Sequence, residues 1–262
     1  MWPITNKNHK KWDYCKSRLQ GLLGFIALQI LEYTSTSQIM RSEARFKHVY
    51  DKSLPVDFKI DFLLDYCKGK RVAHFGFVDS PFTEESIKSN ALLHLKLKKV
   101  CRELIGIDND ADAVRLYSQQ TGDNDVIIGD IYKLDYSLSA LQNKDVYLMG
   151  EILEHLCNPG MALKSIYNIM ADSSELIVTV PNASSLSLFR AALHNVEIVH
   201  HDHVCWYSIQ TMTSLFLRHG FKVKNISFYL AGSGKCPGFI HRTFPFLSEG
   251  IIGIFQKEDK EK

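Results

Sequence analysis

The stretch Arg71-Val72-Ala73-His74-Phe75-Gly76-Phe77-Val78-Asp79-Ser80-Pro81-Phe82-Thr83-Glu84-Glu85 opens as a short apolar strand and passes through a single glycine into a polar loop. A strand that leads through a loop into a helix is the building unit of a parallel sheet, and the chain downstream repeats it. A helix is expected over Ser86–Arg102, a second strand over Leu104–Ile107, a helix over Ala111–Gln119 and a third strand over Val126–Ile128. A fourth strand over Asp145–Met149 leads into a helix from Ile152, and after Asn158-Pro159-Gly160 another helix runs from Met161 to Met170. Strands over Glu175–Val180, Phe221–Leu230 and Ile251–Gln256 complete the set, with a helix over Ile209–His219 and a turn at Gly234–Gly238. The fold class expected is α/β: a seven-stranded, mostly parallel sheet with helices on both faces.

Upstream, Phe58–Cys67 has the pattern of an amphipathic helix, and Leu54-Pro55 marks a boundary because the residue before proline avoids helical geometry. Residues 1–57 are expected to form a helical N-terminal extension and residues 58–262 the α/β domain. The apolar run Gly21–Leu31 falls short of the roughly 20 residues that span a bilayer, so a packed or surface-docked helix is expected there. With 31 basic and 29 acidic residues the formal charge is only +2, too weak a field to demand nucleic acid or an anionic membrane as an obligate partner. Six scattered cysteines without a C-x-x-C pair exclude a zinc ribbon and a disulfide framework, and fit a reducing, cytoplasmic setting. The oligomeric state is not written in the sequence.

In an open parallel sheet, ligands sit beyond the carboxyl ends of the strands where strand order reverses. Those ends carry Gly76, Asp108, Asp130 and Gly150-Glu151. Asp108, in Gly106-Ile107-Asp108-Asn109, stands where a carboxylate can accept hydrogen bonds from the two ribose hydroxyls of an adenosine-type ligand, or alternatively cap the next helix. A pyrophosphate needs several glycines at a helix N-terminus and is repelled by carboxylates. The loop after the first strand has one glycine, Gly76, and three acids, Asp79, Glu84 and Glu85, so it suits a cation better than a dinucleotide. S-adenosylmethionine, with a sulfonium and an ammonium, meets that requirement.

The run Val72–Leu230, through His74-Phe75-Gly76-Phe77-Val78-Asp79-Ser80-Pro81-Phe82-Thr83-Glu84-Glu85, resembles the class I S-adenosylmethionine-dependent methyltransferases, particularly a bacterial subgroup acting on small molecules or glycans. The resemblance implies a Rossmann-like sheet and donor contacts from Gly76, Asp79, Asp108, Asn109, Asp130, Ile131 and Glu151. Two departures stand out: the usual glycine-rich loop is reduced to Gly76, and the long spacing to Asp108 implies an extended first helix that holds His94.

On the acceptor side, a helix beginning near Ile152 would set Glu151, Glu154 and His155 on one face, and His200-His201-Asp202-His203 adds three imidazoles. These two elements resemble the 3′-terminal 2′-O-methyltransferases of small RNAs, which implies a divalent ion, Mg, Mn, Fe or Zn, on Glu151, Glu154, His155 and His203. Without an ion, His155 and His203 are the candidate general bases. Pro181-Asn182, at the end of the fifth strand, offers a further polar contact.

The function expected is O-methylation of a hydroxylated small-molecule or glycosyl acceptor. RNA ribose methylation, which the small-RNA resemblance also implies, is the alternative, but its basic patch in the core is only the Lys96, Lys98, Lys99 cluster. A binding or scaffold protein that has lost turnover is the reading the eroded glycine loop would favour.

Overall fold

The computed structural model describes residues 56–134, 139–231 and 238–258. The expected N-terminal extension lies outside the described residues up to Pro55, and so does the Gly234–Gly238 turn up to Cys236-Pro237. Along the chain come β1 (Val56–Phe58), α1 (Lys59–Cys67), β2 (Arg71–Phe75), α2 (Thr83–Lys88), α3 (Leu93–Lys98), β3 (Glu103–Asp108), α4 (Ala111–Thr121) and β4 (Val126–Ile128). They continue as β5 (Val146–Gly150), α5 (Pro159–Ile169), β6 (Glu175–Pro181), α6 (Leu186–Ala192), α7 (Ile209–Leu217), β7 (Phe221–Leu230), α8 (Gly238–Thr243) and β8 (Gly250–Lys257).

All eight strands join one sheet in the order β1-β7-β8-β6-β5-β2-β3-β4. The seven expected strands are β2 to β8, and only β8 runs antiparallel to its neighbours β6 and β7. The eighth strand, β1, takes Phe58 from the expected first helix and pairs with the outer side of β7, Val56 beside Tyr229 and Phe58 beside Leu230. From β2 the chain steps outward through β3 and β4 and then returns to the other side of β2 as β5. Strand order therefore reverses between β2 and β5, which opens a crevice at their carboxyl ends.

The central strand β5 carries no charged residue because helices cover both faces of the sheet. Val146, Tyr147, Leu148 and Met149 of β5 are all fully buried, as are Val72 and Ala73 of β2. Leu63 and Cys67 of α1 cluster with Val72, Val146 and Leu148 and with Leu104, Ile177 and Ile254. The reading of Gly106 as ordinary strand misses its use: a Cβ there would lie 2.7 Å from the Phe77 ring and 3.0 Å from His94.

Two expected helices are shorter than their patterns suggest. The span Ser86–Arg102 divides into α2 and α3 at Asn90, whose φ of 53° is a left-handed conformation that asparagine tolerates. His94 consequently sits on a short helix, fully buried, with its Nδ1 3.2 Å from Nδ1 of His74, rather than on one extended helix. After β5, only a single 3-10 turn forms at Leu153–His155. Asn158-Pro159 starts a new helix four residues later, with proline in its first turn and the Asn158 side chain accepting from Met161 N–H, so no room is left for an α-helix. α6 is not among the expected helices; Ser185 caps it by accepting from Leu188 N–H.

Candidate active site

A cleft of about 1000 Å3 opens along the carboxyl ends of the strands. All seven residues expected to hold the donor, Gly76, Asp79, Asp108, Asn109, Asp130, Ile131 and Glu151, line it, and so do Glu154, His155 and His203. Its lining contains seven carboxylate residues and one lysine, Lys59, a charge balance that favours a cationic ligand over a phosphate chain. The source of that acidity differs from the sequence reading. Asp79 lines the cleft and accepts from Ser86 Oγ at 2.7 Å, whereas Glu84 and Glu85 lie in the first turn of α2, where Glu84 pairs with Lys88 on the surface. Asp108, Asp110, Asp130, Glu151, Glu154 and Asp202 supply the rest.

Gly76 ends β2 with φ of 64°, in the left-handed region that favours glycine, and its N–H donates to Ile107 C=O at 2.9 Å. A Cβ there would lie 2.2 Å from Ile152 Cγ2, so the single glycine is needed to let the β2 loop cross the β5 loop. Asp108 ends β3. Its Oδ2 accepts from Val78 N–H at 3.4 Å and its Oδ1 from Asp110 N–H at 3.0 Å. The cap of α4 is Asp110, which accepts from the N–H groups of Asp112 and Ala113. A carboxylate has about four acceptor sites, so beside its main-chain partners Val78, Asp110 and Asn109 Asp108 keeps capacity for a hydroxyl donor. Burial raises its pKa, and the hydrogen bonds from Asp110 and Val78 oppose that rise. Asp130 ends β4 and accepts from Tyr132 N–H at 2.9 Å, which turns Ile131 and Tyr132 along the rim.

The wall after β5 departs from the expected helical face. Glu151 has φ of 56°, strained for a residue other than glycine. Its Oε1 accepts from Tyr229 Oη at 2.5 Å and lies 3.5 Å from Lys59 Nζ. Glu154 points inward, 1% exposed, and neither carboxylate oxygen has a hydrogen-bond partner. Burial, and next the charge of Glu151, push its pKa up to about 8, so it is mostly a neutral acid at pH 7. The buried Glu154 carboxylate in the cleft floor thus offers unsatisfied polar atoms to a ligand.

His155 faces the 200–203 segment, its ring centroid 4.7 Å from His203 and 5.7 Å from His200. Both Val204 N–H and Cys205 N–H donate to Glu154 C=O, at 2.9 and 3.2 Å, which straps this segment to the β5 loop. Burial first, and then the neighbouring imidazoles, hold His155 and His203 below the usual imidazole range, so both are neutral at pH 7. The four-residue metal set expected from sequence does not come together: the tight groups of ligand atoms among the described residues are His155, His200, His203 and His200, His201, Asp202, with neither Glu151 nor Glu154. The i, i+3, i+4 spacing misled because it presumed an α-helix. Asn182 is likewise not a cleft residue. It is 2% exposed and spends its amide N–H groups on the C=O groups of Phe246 and Ser248. Lys59, Asp110, Thr179 and Tyr229 escaped the sequence reading, and only Asp110, one residue before a helical pattern, left a local signal.

The fold and the acid-lined crevice define a nucleotide-binding α/β protein built for a positively charged ligand. The family described as methyltransferase domain matches residues 64–226, more than half of the chain. The chain therefore belongs to that family and is an S-adenosylmethionine-dependent methyltransferase of the class I type. Among solved structures, it is similar to a chain of the complex between the Haloferax volcanii Trm112 methyltransferase activator and a methyltransferase: 14% identity, TM-score 0.52, covering 77% of this chain and 89% of that one. It is also similar to magnesium protoporphyrin IX methyltransferase from Synechocystis PCC 6803 with bound SAH: 11% identity, TM-score 0.51, covering 76% and 82%. At these identities the likeness is one of fold. No curated protein sequence matches the chain. Among the described residues, no helix is long and apolar enough to cross a membrane.

Proposed function

We propose that this methyltransferase acts on oxygen, methylating a hydroxylated small-molecule or glycosyl acceptor. The observation that carries the reading is the pair of neutral imidazoles, His155 and His203, in the wall of the acid-lined cleft. A hydroxyl must lose its proton as it is methylated, and a neutral imidazole at this wall accepts it. S-adenosylmethionine, when bound, supplies a methyl group already activated on a sulfonium. Asp108 grips the ribose hydroxyls through its remaining lone pairs; Gly76 and Asp79 border the methionine end; Asn109, Asp130 and Ile131 border the adenine. Glu151, held by Tyr229 and Lys59, places its carboxylate in the cleft wall. The protein's main task is to bring two reactants together in line and to receive one proton.

The thiols of Cys67, Cys101, Cys157 and Cys205 are all free, which accords with a cytoplasmic setting. Incubation with S-adenosylmethionine labelled in the methyl group and a panel of hydroxylated sugars, followed by NMR of the product, tests the reading. Label on an ether oxygen is expected. Label on nitrogen or carbon contradicts it.

A further inference from the structure

The imidazoles of the cleft wall form a tighter cluster than proton removal needs. His155, His200 and His203 each place one ring nitrogen within 4.8 Å of the others, and all three line the cleft. His200 and His203 are the two ends of one turn, closed by His203 N–H donating to His200 C=O at 3.0 Å, and His155 stands opposite on the β5 loop. The strap bonds to Glu154 C=O hold the two sides together. His203 Nδ1 is buried and has no partner, an unmet demand inside the cluster. The His155 ring is hydrogen-bonded to the Asp202 main chain, the kind of outer contact that orients a ligating imidazole.

We propose that His155, His200 and His203 form a three-imidazole site for a divalent ion of the zinc type, with its remaining coordination position open toward the cleft. Zinc holds imidazole nitrogens at about 2.0–2.1 Å, which places them about 3.4 Å apart, so the cluster has to close by about 1.4 Å at most. The His200 side chain is 51% exposed and has the freedom to rotate inward. Imidazoles favour zinc, nickel or copper, whereas magnesium and manganese call for carboxylates. The two candidate carboxylates lie outside the cluster: Glu151 is held by Tyr229 and Lys59, and Glu154 is buried at 1% exposure.

The test is titration of the full chain with Zn2+ against a chromophoric chelator, with visible absorption of the Co2+ form as the readout of coordination. One ion per chain is expected. Affinity should fall by more than about 100-fold in His200→Ala and in His203→Ala. It should be unchanged in Glu151→Gln, Glu154→Gln and His201→Ala. His200 is exposed, so its replacement leaves the core intact, and an unchanged Tm verifies this. No ion bound by the wild type, or binding that survives His200→Ala and is lost in Glu154→Gln, overturns the inference.

The site rests on the placement of the imidazoles and not on the acceptor reading, although both use His155 and His203. A bound ion occupies the lone pairs that proton removal requires, so filling the site should slow methyl transfer and chelation should restore it. A chain that binds Zn2+ and transfers methyl no more slowly keeps the metal site and refutes the imidazole base.

Discussion

The two ends of the cleft are built by different means. At the donor end, Gly76, Asp108 and Asp130 each sit at the last residue of a parallel strand or just beyond it, and main-chain hydrogen bonds fix their positions. At the acceptor end, His155 lies on a single 3-10 turn and His200 and His203 on an irregular strap between α6 and α7, joined across 45 or more positions of sequence. Strand ends repeat a geometry that the sheet dictates, whereas a strap of this kind can be re-formed without disturbing the sheet. On the proposed reading, the donor end is the fixed part of the enzyme and the acceptor wall is the part that sets specificity.

Mutations that separate the two ends break or sharpen this division. The largest effect is expected at the wall: His155→Ala or His203→Ala should lower kcat by about 10²- to 10⁴-fold, the usual contribution of a general base. Donor affinity, measured by calorimetry, should stay as it is, and a parallel loss of donor binding would mean that the two ends are not independent. Next comes the donor end. Asp108→Ala should weaken S-adenosylmethionine binding by about 10- to 100-fold, from hydrogen bonds to a charged group worth about 1.5–3 kcal/mol. Its kcat at saturation should change far less.

The smallest effect concerns the floor between the ends and is read as stability rather than activity. The fold raises the pKa of Glu154 to about 8, so the native chain keeps a proton that the unfolded chain releases above the ordinary carboxylate range. That stabilisation is complete at pH values below the unfolded pKa and is lost as pH rises through about 8. Denaturant titrations at pH 5 and pH 9 should show the loss in the wild type, and Glu154→Gln should reduce it. An identical slope in the variant would mean that Glu154 titrates alike in both states.

The difference between the ends also explains how much could be read from the chain alone. The seven core strands, the crevice and the seven donor-lining residues follow from alternating apolar strands and helices, because a residue at the end of a parallel strand has its place set by local pattern. The acceptor wall does not follow. Whether Ile152–Leu156 turns as an α-helix or a 3-10 turn is decided by Asn158-Pro159 and by the left-handed Glu151, and the Glu151 contacts to Lys59 and Tyr229 span 92 and 78 positions. The charge of the cleft was legible, although Glu84 and Glu85 were credited for what Asp110 and Asp202 contribute.

The most direct measurement is a crystal structure of the chain with S-adenosylhomocysteine bound. The account predicts the ribose hydroxyls within hydrogen-bond distance of Asp108 and the sulfur turned toward His155 and His203. A nucleoside lodged away from Asp108, or a sulfur facing away from the histidine wall, would contradict it.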